Sequence, residues 1–275
     1  MTQAVLPRSA PGNLARFGRP AALLAAGVVL AAWLLATPAG LLGKADAIGY
    51  AVCHRIDVRS FHLGARTLPL CARCTGIYLG AMLAMASYQI VGRGRAGGFP
   101  KKAVVAAFIL FAAIFAVDGV NSYLTLFPGL PHLYEPSNVL RLSTGLLAGV
   151  AMGTLVHAGL AQNAWKDWRP EPALRDLREL GVLLVGAAVI GGLALSGNPM
   201  ILYPLALISA GGVLVVLASV YTVMALLVFG QENRATSWMN LALPAVVGLT
   251  FSILQIGGID LVRFALTGTW SGFTF

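Results

Sequence analysis

The sequence predicts an all-α protein, a polytopic bundle of transmembrane helices. Hydrophobic residues make up 58% of the 275-residue chain and charged residues only 11%, whereas a soluble domain carries about a quarter charged residues. The charges lie in short stretches between long apolar runs, and a run of about 18 apolar residues or more can cross a bilayer as a helix. The lipid bilayer is therefore the expected partner.

Seven candidate spans follow one another, at residues 20–42, 71–92, 103–127, 138–161, 179–196, 200–229 and 239–266. The first follows a polar leader, and its apolar run is too long for a signal peptide, so we expect an uncleaved helix. The fifth is short and rich in glycine, and Ser196-Gly197-Asn198-Pro199 joins it to the sixth. If these two form one broken element, the bundle has six spans.

This pattern divides the chain into four parts. A cytoplasmic leader precedes a core membrane domain that holds four spans and a loop rich in cysteine and histidine. A charged cytoplasmic loop then leads into a C-terminal extension of three spans. The four parts are residues 1–19, 20–161, 162–178 and 179–275.

The loop charges predict an orientation. With the N-terminus inside, twelve loop cations face the cytoplasm and seven face outward, as the positive-inside rule favours. We therefore expect a multi-pass protein of the cytoplasmic (inner) membrane with residues 43–70 and 128–137 outside. The net charge of +9 fits these basic loops, and no nucleic-acid partner is expected because no motif interleaves aromatic and basic residues.

Small residues recur every fourth position in the second and fourth spans, at Gly76, Gly80 and Ala84 and at Gly145, Gly149 and Gly153. This spacing lets helix backbones approach closely within lipid. It favours packing of these two spans within one chain, and a dimer seam is the alternative.

All three cysteines lie in one stretch, CHRIDVRSFHLGARTLPLCARCTGIYLG, residues 53–80. Cys71 and Cys74 are three residues apart, on one face of a helix if the helix has begun. Three thiolates and one imidazole form a sufficient ligand set for tetrahedral zinc. We therefore expect zinc as cofactor, with ligands drawn from Cys53, His54, His62, Cys71 and Cys74.

Disulfide chemistry is the alternative for the same residues. Cysteines outside the cytoplasmic membrane face an oxidising compartment, and Arg73 with a helix N-terminus would lower a thiol pKa. Membrane thiol oxidoreductases that pass electrons to quinone carry such a Cys-x-x-Cys at the outer end of a span. A second pair of cysteines for a full relay is absent here.

Polar residues gather at the same predicted depth in the third and fourth spans. Asp118 and Asn121 share a helix face, as do Asn138 and Arg141. A charge inside a membrane helix costs several kcal/mol unless it is paired or hydrated, so Asp118 and Arg141 are natural partners. These four residues are the candidate catalytic residues of a pocket open to the outside. The alternative is that these residues only hold the ends of neighbouring helices together at the membrane interface.

Cations surround this predicted pocket. The planar donors of arginine suit phosphate or carboxylate, so we expect Arg55, Arg59 and Arg73 to bind an anionic ligand such as a lipid phosphate. Asp260 and Arg263, near the outer end of the last span, are expected to pair locally.

The CHR…RSF…PLCARCTGIY signature, with VDGVNSYLTLF and PSNVLRLSTGLLAG, resembles a family of predicted prokaryotic membrane proteins that is filed as a domain of unknown function. The similarity covers about residues 50 to 155 and implies no activity. The three spans beyond residue 179 look like an extension outside this core. The resemblance marks Cys53, His54, Arg59, Phe61, Cys71, Cys74, Gly76, Tyr78, Asp118, Gly119, Asn138, Arg141 and Gly145.

Four functions fit these observations. The first is a membrane enzyme or binding protein with a metal centre above an anion-binding pocket. The others are a quinone-linked thiol oxidoreductase, a transporter or channel subunit, and an accessory subunit of a membrane complex. The chain lacks a Walker loop, a His-Glu-x-x-His, a Gly-x-Ser-x-Gly and a haem-binding Cys-x-x-Cys-His, so no familiar catalytic motif decides whether it is an enzyme.

Overall fold

The protein is an all-α helical bundle, as the composition predicts. A computed structural model describes residues 14–127 and 129–270, so the first 13 residues of the expected leader lie outside the described residues. Within the described ranges the helices are α1 (Leu14–Ala36), α2 (Gly40–Val52), α3 (Ala72–Ile90), α4 (Lys102–Leu124), α5 (Asn138–Ala164), α6 (Leu177–Leu195), α7 (Pro199–Val228) and α8 (Trp238–Thr267).

One helix coincides with each of the seven predicted spans. Six of these helices, α1 and α4 to α8, are long and apolar enough to cross a membrane. The seventh, α3, is more polar, and it packs against α5, α6 and α7. Polar residues in a membrane bundle are tolerated where they face other helices instead of lipid. The fifth and sixth spans are separate helices, with Gly197 between them at a φ of 68°.

The segment 43–70, which the sequence marked as a loop, is largely structured. Pro38 and Gly40, the latter at a φ of 80°, end α1 earlier than predicted, and α2 begins there. A 3₁₀ turn (Asp57–Arg59) then leads into the hairpin of β1 (Ser60–Leu63) and β2 (Arg66–Cys71). The antiparallel register pairs Ser60 with Cys71, which places the hairpin directly before α3. We call this end of the bundle the thiol end.

The opposite end gathers three connecting segments of the chain. The short strands β3 (Ala96–Gly98) and β4 (Arg169–Pro172) pair in parallel, and Trp165 bridges to Ala235. Arg93 pairs with Glu179 at 2.6 Å. The loops that the charge count assigned to one side of the membrane therefore do lie together, and the helices alternate in direction between the two ends.

The helices α3 and α5 make the closest packing in the bundle. A Cβ atom added at Gly76 or Gly80 would come within 3 Å of the backbone of α5, and one added at Gly145 or Gly149 within 3 Å of the backbone of α3. The small residues thus serve packing within the chain, as the sequence favoured. We call this α3–α5 contact the glycine seam. It places the first turn of α3, which holds Cys74, at the same height in the bundle as the start of α5, which holds Arg141.

Candidate metal centre

Three sulfur atoms meet at the thiol end. Cys53 follows the last residue of α2, Cys71 ends β2 as the N-cap of α3, and Cys74 lies in the first turn of α3. Their Sγ atoms all lie within 4.8 Å of one another, which confirms the predicted convergence. Gly49 makes it possible, because its lack of a Cβ lets α2 approach the backbone of Pro69 in β2.

The sulfurs are reduced thiols in a largely buried setting. Cys53 and Cys71 are buried, and Cys74 is half-buried. The Cys71 amide donates to Cys53 Sγ at 3.3 Å, and the Cys74 amide donates to Cys71 Sγ at 3.5 Å. Hydrogen bonds from the other two thiols lower the pKa of Cys53, while its bond to Cys53 raises the pKa of Cys71 to about 12. Cys53 is therefore the first thiolate of the group.

Neither predicted imidazole ligand joins the sulfurs among the described residues. His54 Nδ1 accepts the Ile56 amide at 3.0 Å, and His62 Nε2 lies 2.9 Å from the Asp57 carboxylate at an exposed position. A lone pair engaged by a backbone N–H is not free for a metal. A fourth ligand from His54 or His62 therefore stays a prediction, and the structure brings together only the three cysteines.

His54 directly follows Cys53 in the chain, and several neighbouring charges act on its imidazole. Burial lowers its pKa most; the charge of Cys53 raises it, and the charges of Arg59, Arg73 and Arg141 lower it further. The imidazole is therefore neutral at pH 7, and because Nδ1 accepts, its proton is on Nε2. Among the described residues, Nε2 has no hydrogen-bond partner.

The Asp118 carboxylate is paired, but with Arg73 instead of the predicted Arg141. An Arg73 amino group contacts the carboxylate and also donates to Ser122 Oγ at 3.0 Å. Tyr134 and Thr144 hydroxyls donate to Asp118 at 2.9 and 3.2 Å. Asp118 is 1% exposed. Both oxygens of the carboxylate thus accept hydrogen bonds, from donors on α3, α5 and the loop before α5.

Arg141 has a different environment. It donates to Asn138 Oδ1, one turn earlier in α5, at 3.0 Å. Its Nε is buried and has no hydrogen-bond partner in the part of the chain that the structure describes. The expected ion pair with Asp118 was wrong because Arg73, in the first turn of α3, pairs with that carboxylate instead. The second expected pair is also absent: Arg263 donates to backbone carbonyls, at 2.6 Å for Cys53 O, and no ion pair joins it to Asp260.

The remaining predicted site residues divide into two groups. Asn138 Nδ2 reaches the carbonyls of Val58 and Ser60 at 3.3 and 3.4 Å, and Asn121 Nδ2 donates to the Tyr134 carbonyl at 2.8 Å, so both asparagines hold loops. Arg59 is buried at the thiol end, with one donor on Thr125 Oγ1 at 3.2 Å. Arg55 is not part of the cluster, since it pairs with Asp46 at 2.8 Å.

Sequence reasoning missed Tyr134, Ser122 and Asp46. The first lies in an irregular loop, and irregular backbone has no periodicity that would show which side chain turns inward. Ser122 was missed because a serine near the end of a helix is common and does not by itself indicate a site. Asp46 lies on α2, which the sequence analysis treated as a loop.

The side chains of Arg59, Arg73, Arg141 and Asp118 at the thiol end carry an excess of positive charge. Arg59 and Arg141 are 7% and 6% exposed, and Asp118 compensates Arg73. Buried charges require counter-charges, because removing an ion from water costs several kcal/mol. The thiol end therefore suits either thiolates or an anionic ligand close to Arg59 and Arg141.

Comparison with known proteins centres on this region. Residues 53–155 match the family described as predicted membrane protein (DUF2085). An uncharacterized protein of Methanothermobacter thermautotrophicus is 35% identical over 104 residues, 38% of this chain and 83% of that protein. An uncharacterized protein of Methanocaldococcus jannaschii is 33% identical over 99 residues, 36% of this chain and 56% of that protein. No solved structure matches.

Proposed function

Because this chain belongs to the DUF2085 family of predicted membrane proteins, we propose a function for the residues that the family match covers. Cys53, Cys71 and Cys74 bind a metal ion, zinc by their chemistry, at one end of a transmembrane bundle. The neighbouring arginines bind an anionic group such as a lipid phosphate. The observation that carries this proposal is the approach of three sulfur atoms to within 4.8 Å of one another.

The sulfur geometry suits zinc. A Zn–S bond of about 2.3 Å sets tetrahedral thiolates roughly 4 Å apart. Two of the sulfurs accept backbone N–H bonds, and such outer contacts orient ligands and stabilise their charge. Zinc displaces the remaining thiol protons when it binds. Three protein ligands leave one position open, as in zinc sites that do chemistry instead of supporting the fold.

The anionic ligand is supported by the buried arginines at the thiol end. Arginine is the side chain best suited to phosphate, since its planar donors match oxygens in pairs. Arg59 and Arg141 are buried at the thiol end, while Asp118 holds Arg73 in place. In this proposal Asp118, Asn121 and Asn138 position the loops and the arginines, and Arg141 contacts the ligand.

A thiol oxidoreductase is the second candidate, since the three thiols are close and unbridged. Two of them would form a disulfide by giving two protons and two electrons to a quinone. Measuring zinc content and free thiols on one purified sample separates the two functions. If the metal function is right, we expect about one zinc ion per chain. The thiols should then react with a thiol reagent only after a chelator has removed the zinc. A disulfide with a single free thiol and no zinc would support the redox function instead.

The expected orientation completes the proposal: an inner-membrane protein with its N-terminus in the cytoplasm and its thiol end outward. Cysteines introduced at Val58, which is 77% exposed, and at Lys101, at the opposite end, report the orientation. A membrane-impermeant thiol reagent on intact cells should label V58C and leave K101C unlabelled, with the wild type as background. The reverse pattern would place the thiol end in the cytoplasm.

A further inference from the structure

We infer that the metal and the anion share one site, in which an oxygen of a lipid phosphodiester occupies the fourth position on the metal. This inference rests on the proposed metal function. It adds the identity of the fourth ligand and the class of the bound molecule.

The protein itself leaves the fourth position open. Among the described residues, the group of close metal-ligating atoms consists of the three sulfurs alone. His54, the nearest candidate in sequence, directs Nδ1 to the Ile56 amide at 3.0 Å. Its Nε2–H is a hydrogen-bond donor and not a metal ligand. An exogenous ligand must therefore complete a tetrahedral zinc.

The donors beside the sulfurs select an oxyanion. Arg59 directly precedes Ser60, which pairs with Cys71 across the hairpin. Arg141 donates to Asn138 Oδ1 at 3.0 Å, and Asn138 in turn reaches the Ser60 carbonyl at 3.4 Å. Within residues 14–127 and 129–270, the buried Nε of Arg141 has no hydrogen-bond partner. Together with the His54 Nε2–H, these guanidinium groups supply donors that can surround an oxyanion at the metal.

The charge of the site favours a monoanion. The Arg73–Asp118 pair is neutral, and a zinc ion with three thiolates carries one negative charge. Arg263, which donates to the Cys53 carbonyl at 2.6 Å, and Asp260 carry opposite charges that cancel. Arg59 and Arg141 then leave the site with one positive charge. A phosphodiester, which carries a single negative charge, balances it, whereas a phosphate monoester carries nearly two at neutral pH.

Apolar side chains around this end point to a lipid as the source of the phosphate. Val58 in the 3₁₀ turn and Leu133 in the loop before α5 are 77% and 79% exposed, and Val139 is 51% exposed. Asn138 ties these segments together through the Val58 carbonyl at 3.3 Å. Exposed apolar groups in loops at the end of a transmembrane bundle are suited to the headgroup region of the bilayer.

Cobalt replaces zinc in the test, because its visible spectrum reports the ligands and their number. The full-length protein in a neutral detergent is loaded with Co²⁺ and titrated with short-chain phosphatidylglycerol. We expect a saturable change in the cobalt absorption bands. Short-chain diacylglycerol, which lacks the phosphate, should leave the bands unchanged, and inorganic phosphate should need a much higher concentration.

Variants identify the donors. Arg59→Gln and Arg141→Gln should retain cobalt and weaken the phosphatidylglycerol response about tenfold or more, as expected for loss of a charged hydrogen bond. Arg55→Gln is the matched control, since Arg55 lies in the same segment and pairs with Asp46; its response should equal that of the wild type. If Arg141→Gln does not fold, Arg59→Gln decides the role of the arginines.

The outcomes separate the two proposals. Cobalt bound through thiolates with bands that no phosphate alters would overturn the shared site and leave the metal function standing. No cobalt binding at all would overturn both. Equal responses to inorganic phosphate and phosphatidylglycerol would overturn the lipid as the ligand.

Discussion

Asp118 and Asp260 are two buried aspartates near the thiol end of transmembrane helices, and they have opposite surroundings. They are 1% and 3% exposed. Asp118 on α4 receives hydrogen bonds from Arg73, Tyr134 and Thr144. Both carboxylate oxygens of Asp260 on α8 are buried with no partner among the described residues.

The difference follows from what packs around each helix. The end of α4 meets α3, α5 and the loop before α5, and each contributes a donor. Asp260 lies one turn from Ile256, which packs in the apolar cluster around Cys53, Cys71 and Val213. Burial alone therefore does not show what an aspartate contributes to a membrane protein. A carboxylate with donors can stabilise the fold, and one without them can only cost free energy.

The largest expected effect is at Asp118. Asp118→Asn keeps the shape of the side chain and leaves the largely buried Arg73 charge without its counter-ion. We expect the free energy of unfolding to fall by about 3–5 kcal/mol, measured by thermal unfolding in detergent. A loss below about 1 kcal/mol would mean that water screens the pair as at an exposed site.

A double-mutant cycle identifies the partner of Asp118. The pair of Asp118→Asn with Arg73→Gln should show a coupling energy of about 2–3 kcal/mol, since the residues contact each other, while the pair with Arg141→Gln should show less than about 0.5. The same unfolding measurement gives both values. Stronger coupling to Arg141 would restore the pairing that the sequence suggested.

The glycine seam extends the comparison to helix packing. Gly149→Ala places a Cβ within 3 Å of the backbone of α3, and we expect a loss of about 1–3 kcal/mol. Gly258→Ala on α8, where nothing lies within 4 Å, is the matched control and should be neutral or slightly stabilising. Similar thermal shifts for the two variants would show that the seam is looser than the structure places it.

The smallest effect is expected at Asp260. Within the part of the chain that the structure describes, Asp260→Asn removes no hydrogen bond and no ion pair. The free energy of unfolding should therefore not fall by more than about 1 kcal/mol, and it should rise if the buried charge is costly. The melting temperature of this variant in detergent, compared with that of Asp118→Asn, checks the contrast directly. A loss as large as at Asp118 would reveal a donor for Asp260.

Much of the molecule could be predicted from its sequence. The apolar runs gave the helices of all seven spans, since a bilayer leaves few alternatives to a helix. The glycine spacing predicted the α3–α5 contact, and the shared segment of Cys53, Cys71 and Cys74 predicted a common centre. The sequence missed α2 and the β1–β2 hairpin, because their short and mixed patterns do not differ from those of a loop.

By itself the sequence thus determined which parts enter the membrane and which residue types meet at the thiol end, since both depend on composition and on separation along the chain. Only the tertiary structure decided the partners. Arg73 and not Arg141 reached Asp118, His54 turned its Nδ1 to a backbone amide, and Asp260 met no donor. Those choices depend on which arrangement of side chains fills the space between packed helices at the lowest free energy, and no periodicity in the sequence records that arrangement.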